Sequence, residues 1–386
     1  MIQELWEVQL YLVAILRPLR SAHPMSLFQR SIFGGMALLS VTAIAPLATP
    51  VQAIGGSPLK PAIATTKTIP WVQAKSHRKA EADRLVQQAI TQSEAQNYGG
   101  ALQTLKLAIL IYQEIGDLAG EIEALGNLGD VYAALQSFPK AIESYQKIVA
   151  IARSMTNSDL EVKGLIVLGE TYRDLENYSQ AIKTLEMAVK LASQSHDRSR
   201  FAQALNALAA AYFAQENYAK ALEIYPQLLR IAREQKDQDL ETATLLSIGA
   251  AYYNQQQPEP ATKFYQQAIT LAKTANNQDL EIKAIHYLSD AYWQLGDYPK
   301  SIDILQQAAT HRFHQHPEVA ALFLVEVGQH HEYLGDKTKA TEAYRKALAI
   351  VEKAGISQGE AYIRDLLDSI DGTPAKFEEQ PDYTAL

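Results

Sequence analysis

From Glu81 onward the apolar residues recur at helical rather than strand spacing, and they do so in blocks of 40 residues. Leu125, Leu128 and Tyr132 fall at i, i+3 and i+7 on one helix face, as do Leu165, Leu168 and Tyr172. Ala141, Tyr145 and Ile148 mark a second helix in the same block. Each block therefore predicts two amphipathic helices, and a period of this length predicts a stack of repeated units before it predicts anything else.

The columns of the repeat have physical reasons. Small residues return as Gly129, Gly169, Ala209, Gly249 and Ser289, each followed three positions later by Tyr132, Tyr172, Tyr212, Tyr252 or Tyr292. A second small column runs through Ala101, Ala141, Ala181, Ala221, Ala261, Ser301 and Ala340, with Leu105, Tyr145, Leu185, Tyr225, Tyr265, Leu305 and Tyr344 four positions beyond it. Small residues on both helices let the backbones approach so that ridges interlock. Gln136-Ser137-Phe138 and Gly296-Asp297-Tyr298 predict the turns inside a pair, and Pro139 and Pro299 sit where a first helical turn tolerates a missing N–H. Asn157, Asp237 and Asn277 suit the helix starts between pairs.

With L-G-x2-Y followed by A-x3-F/Y on the page, the chain resembles the tetratricopeptide repeat family, in a variant with a 40-residue period, over about residues 81–359. The resemblance implies an all-α, right-handed superhelical solenoid of about seven helix-turn-helix repeats, and its longer period is similar to that of repeats frequent in cyanobacterial and other bacterial genomes. Gln92 and Ala89 stand in the tyrosine and glycine columns of the first repeat, as befits an end unit. Near the other end the step from Gly296 to Gly335 is one residue short, with the loss around His316-Pro317, and His331 replaces the tyrosine. Ile363, Leu366, Leu367 and Ile370 predict a capping helix over 361–371. The repeat body is expected to span 76–371, and residues 372–386 to form a disordered tail.

Ahead of the repeats, the chain from Met25 reads as a secretory signal: Arg30, an apolar stretch from Ile32 to Leu47, then Val51-Gln52-Ala53. Residues 1–53 are thus expected to be an address, with Met25 a candidate start, and an uncleaved membrane anchor is the alternative. Residues 54–75, with Pro58, Pro61 and Pro70, predict a flexible link. The expected location is an exported compartment: periplasm, thylakoid lumen or outside the cell.

Composition narrows the chemistry. The 386 residues contain no cysteine, which excludes disulfides, thiolate metal sites and thiol nucleophiles. A net charge of -8 argues against a phosphate-binding surface, so nucleic acid is not an expected partner. Removing residues 1–53 would take away Arg17, Arg20 and Arg30 against Glu4 and Glu7, leaving the rest more acidic. No catalytic or dinucleotide motif is present, so neither enzymatic activity nor a cofactor is expected.

The resemblance implies that the first helix of each repeat lines a concave groove for a protein or peptide. The positions it points to are Arg173, Asn206, Phe213, Tyr253, His286, Tyr287, Asp290 and Trp293, an aromatic strip with polar handles. Packing between repeats is the competing reading of the aromatics. The carboxylate clamp of the family's chaperone-binding members is missing, because Val86 and Ile90 occupy its first-repeat positions. A self-assembling envelope protein is the second expectation. His311, His314 and His316 are weak candidates for a metal site, and Thr384-Ala385-Leu386 is a weak candidate for a PDZ ligand. Pro226, inside a predicted helix, is expected to kink it.

Overall fold

The computed structural model describes residues 70–195 and 197–370. The signal, most of the expected link and the C-terminal tail lie outside the described residues. The link ends sooner than expected, because helix begins at Pro70, whose missing N–H costs nothing in a first turn.

Fifteen helices and no strands make up the described residues. They are α1 (Pro70–Glu94), α2 (Tyr98–Ile115), α3 (Leu118–Ala134), α4 (Phe138–Ser154), α5 (Ser158–Asp174), α6 (Tyr178–Ser193), α7 (Arg198–Ala214) and α8 (Tyr218–Gln235), followed by α9 (Gln238–Asn254), α10 (Pro258–Ala275), α11 (Gln278–Gln294), α12 (Tyr298–Gln307), α13 (Pro317–Tyr333), α14 (Lys337–Ala354) and α15 (Ser357–Ile370). Pairing each odd helix with the next gives seven hairpins, and α15 follows as the expected cap, with Ile363 and Ile370 buried. None of these helices is long and apolar enough to cross a membrane.

The chain divides into two bodies, the first ending at Ile231 and the second beginning at Ala232, within α8. In the first body α1 packs on α2 and α3, and α5 on α6 and α7; in the second, α9 packs on α10 and α11, and α13 on α14. Tyrosines tie hairpins together: the Gln146 amide donates to the Tyr172 hydroxyl at 3.1 Å, and Gln266 donates to Tyr292 at 2.7 Å. The small columns do what close approach requires. A methyl group on Gly129 would stand 2.5 Å from the Tyr145 ring, so this crossing has no room for a side chain.

The turns inside the hairpins share one geometry. Gln96, Gln136, Glu176, Glu216 and Gln256 have φ between 53° and 62°, and Gly296 and Gly335 take the same column at 74° and 78°. The left-handed residue lets the following N–H reach back to a carbonyl near the helix end, as from Ser137 to Tyr132 at 2.8 Å. Asx side chains then start the next helix: Asn97, Asn177 and Asp297 accept from the backbone N–H three residues on, and Asn157, Asp237 and Asn277 do the same between hairpins.

Two irregularities were expected from the sequence. Helix α8 runs unbroken through Pro226, whose exposed ring is accommodated without ending the helix. The shortened repeat is resolved by a π turn, Ala308–Arg312, which continues α12. It closes with the Phe313 N–H on the Ala308 carbonyl at 2.8 Å and leaves the Phe313 ring fully buried, 5.9 Å from that of Phe323. Arg312, at the end of this turn, reaches Glu281 through Nε at 2.8 Å and a terminal nitrogen at 2.7 Å. The Glu281 side chain is completely buried.

Candidate functional site

Five of the eight expected groove residues fall in the second body, on two first helices of hairpins: Tyr253 on α9, and His286, Tyr287, Asp290 and Trp293 on α11. Positions 286, 290 and 293 share one face of α11 by the i, i+4, i+7 rule. Helix α13 brings up Glu326, His330 and Tyr333 against them.

His286 is the hinge of the cluster. Its Nδ1 lies 3.1 Å from a Glu326 oxygen and its Nε2 lies 3.5 Å from Oδ2 of Asp290. Burial opposes a charge on the ring, but the two carboxylates outweigh it and raise its pKa to about 10, so the ring is an imidazolium at neutral pH. Asp290 is pushed the other way. Burial raises it, the His286 charge opposes that, Glu326 adds like-charge repulsion, and the carboxyl settles at about 6.

A second histidine in the same cluster takes the opposite state. Burial lowers His330 to about 4, with Glu326 opposing and the His286 charge assisting. Its neutral ring stacks on Trp293, centroids 4.0 Å apart and planes at 24°, and its Nδ1 lies 3.3 Å from the Ser301 hydroxyl. Ser301 in turn meets Ser289 at 2.8 Å, both fully buried, where the earlier hairpins have glycine and alanine columns. Tyr298 and Tyr333 complete the surround of Trp293 at 4.5 and 5.1 Å, and Tyr333 stays 54% exposed.

Tyr287 sits with its ring 5.6 Å from Tyr265 and 5.9 Å from His286. Burial, then the charge of Asp290, pushes its hydroxyl up to about 12; the same two causes raise Tyr253. The two tyrosines and Asp290 are thus electrostatic neighbours, each half-buried.

The remaining expected residues belong to the first body and do not form a comparable cluster. Arg173 is taken up by its own neighbour, donating to Asp174 at 2.9 and 3.1 Å. Asn206 is half-buried on α7. Phe213 corrects the sequence reading: it is 3% exposed and packs edge-on against Tyr218 at 5.0 Å, so its ring is core rather than contact surface. An aromatic column cannot distinguish these two fates by spacing alone.

The histidines considered as metal ligands use other partners. His311 meets Thr310 at 2.8 Å, His314 meets the His311 carbonyl at 3.1 Å, and His316 meets Gln278 at 3.3 Å. Among the described residues no three His, Asp or Glu side chains form a group able to hold a metal ion. Sequence reasoning missed Glu326, Tyr298 and Tyr333. Glu326 had left a signal: it is a lone acid in the apolar run from Val319 to Val327, and a buried charge demands a partner.

Two tetratricopeptide repeat models match this chain, one over residues 81–154, 123–194 and 200–274, the other over 288–355. Together they cover more than half of it, and the chain belongs to the tetratricopeptide repeat family. No curated protein matches. Similar solved structures include the apo form of RapI, at 15% identity over 71% of this chain and 99% of that one, with a TM-score of 0.49. A tetratricopeptide repeat protein from Parabacteroides merdae is similar at 14% identity, over 73% and 98%, with a TM-score of 0.47. Aspartyl phosphate phosphatase F from Bacillus subtilis is similar at 14%, over 69% and 75%, with a TM-score of 0.49.

Proposed function

We propose that this protein is an exported, non-catalytic scaffold that captures a protein or peptide on the face offered by the first helices of its hairpins, centred on α11. The reading rests on one observation above all: α9 and α11 carry half-buried tyrosine, tryptophan and aspartate side chains on a pre-set face, with the Tyr333 ring exposed beside them. Rigid aromatics with polar neighbours are the composition of binding hot spots. Repeat families of this kind use stacked helices as extended recognition surfaces.

Replacing Tyr253 and Trp293 together by alanine is expected to abolish capture of partners from an envelope extract while the helical circular dichroism signal is kept. Unchanged capture overturns the groove reading. Export is part of the same proposal, supported by the signal-like segment ahead of Ile54. Mass spectrometry of the protein from whole cells should find a mature N-terminus near Ile54, and an intact 1–53 segment would contradict it.

A further inference from the structure

The hairpins manage the carboxylates on their first helices in different ways. Asp130 of α3 accepts from the Tyr145 hydroxyl of α4 at 2.6 Å, and Glu332 of α13 accepts from Tyr344 of α14 at 3.1 Å. Asp290 occupies the Asp130 column, but the residue in the Tyr145 column of its hairpin is Leu305, fully buried and without a donor. Asp290 therefore accepts no tyrosine hydroxyl from its own hairpin. Its contact with His286 engages Oδ2 at 3.5 Å, a loose ion pair rather than a tight hydrogen bond, and leaves Oδ1 for another donor.

Two tyrosines, Tyr253 and Tyr287, are electrostatic neighbours of that carboxylate. Tyr287 precedes Asp290 by three residues and Trp293 follows by three, so both flank it on α11, and Tyr253 stands one repeat away in the Trp293 column. Aromatic faces around a carboxylate are the chemistry that holds an organic cation, by ring quadrupole and by charge together. His286 is less exposed than Asp290, 13% against 32%, and its charge is shared with Glu326, which is 7% exposed. The acidic charge of the whole chain, -8, favours approach of a basic partner.

We propose that Asp290, flanked by Tyr253, Tyr287 and Trp293, is the seat for a cationic side chain, arginine or lysine, of the bound peptide. This inference rests on the groove reading above and adds the chemistry of its ligand. His286 acts as a positioning residue that holds Asp290 by one oxygen, and Glu326 holds the His286 ring in place from its other side.

The test uses the full chain and a peptide library with randomised flanks around a fixed central arginine, lysine, citrulline, norleucine or glutamate. The wild-type protein should retain the arginine and lysine sets about tenfold more than the norleucine set, the citrulline and glutamate sets falling with norleucine. Asp290→Asn should bring the cationic sets down to the level of its own norleucine set, and Asp290→Glu should restore part of the preference. Better retention of arginine than lysine assigns a guanidinium, and the reverse assigns an ammonium. Absence of any preference for cationic peptides in the wild type overturns the proposal, as does a preference that survives in Asp290→Asn. The groove reading is judged separately: if the Tyr253→Ala/Trp293→Ala protein, folded by circular dichroism, loses retention of every set while the wild type shows no charge preference, the groove stands and the cationic seat falls.

Discussion

Helix α7 in the first body and helix α11 in the second occupy the same place in the repeat and solve it with different chemistry. Across the same five columns α7 has Ala207, Leu208, Ala209, Ala210 and Ala211, all buried, whereas α11 has Tyr287, Leu288, Ser289, Asp290 and Ala291. The alanine helix satisfies only shape: it is apolar nearly all round, and its neighbours close over it. The other places a hydroxyl and a carboxylate where α7 has methyl groups, and each then requires a partner, Ser301 for Ser289 and His286 for Asp290. Stacking tolerates both solutions. Under the proposed function, the recognising hairpin differs from a supporting one by the set of polar groups it keeps in spite of that requirement.

The largest test of this contrast lies in the ion pairs between helices. Arg312→Ala in the second body strands the fully buried Glu281, with Lys273 left 3.8 Å away as its nearest cation, and should destabilise the protein by about 3 kcal/mol. Arg153→Ala in the first body breaks a pair whose arginine is half exposed and should cost less than about 1 kcal/mol. Equal losses in urea denaturation would show that burial does not separate the two pairs.

Next in size is the helix crossing itself. Gly129→Ala drives a methyl group into the Tyr145 ring and should cost roughly 2 kcal/mol by thermal or chemical denaturation, provided the ring cannot turn aside. At the matching column of the polar hairpin, Ser289→Ala removes one hydroxyl from a buried pair and should cost about 1 kcal/mol. A larger loss at Ser289 than at Gly129 would mean that the Ser289–Ser301–His330 thread, not close packing, holds α11.

The effect most specific to the second body is on pH. His286 is raised to about 10 in the folded chain, so its contribution is complete below the unfolded value near 6.5 and is lost as pH rises through 10. His330 is lowered to about 4, so the folded state is penalised as pH falls from 6.5 through 4. Asp290, raised to about 6, gives up stability as pH rises from its unfolded value near 3.8 through 6. The thermal midpoint should therefore decline between pH 7 and 10 in the wild type and decline less in His286→Gln. Imidazole resonances titrating near 10 and near 4 by NMR are the direct check, and two ordinary titrations near 6.5 would dissolve the cluster.

Much of the architecture is readable from periodicity, because two helices and two small columns recur seven times, and the tyrosine column five times. The turns at Gln136 and Gly296 were readable too, whereas the left-handed conformation they share with Glu176 and Gly335 comes from the structure alone. The site was readable only in half. Residues on α11 announce themselves by column, but their contacts with Glu326 and His330 are made across a repeat boundary, which the columns do not specify. Phe213 failed for the converse reason: identical spacing on α7 meets Tyr218 and is covered. A column fixes which way a residue leaves its helix, whereas exposure depends on the bulk of neighbours that the column does not specify.

The π turn at Ala308–Arg312 has a consequence for module exchange. Hairpins separated by whole 40-residue steps could be spliced for one another with their junctions intact, since an Asx cap recurs between them at Asp117, Asn157, Asp197, Asp237 and Asn277. The α11–α12 hairpin is the exception. Transplanting it requires carrying along the widened turn, the Phe313 plug and the one-residue deletion, and a chimera that restored the regular length there would displace the plug and part Arg312 from Glu281.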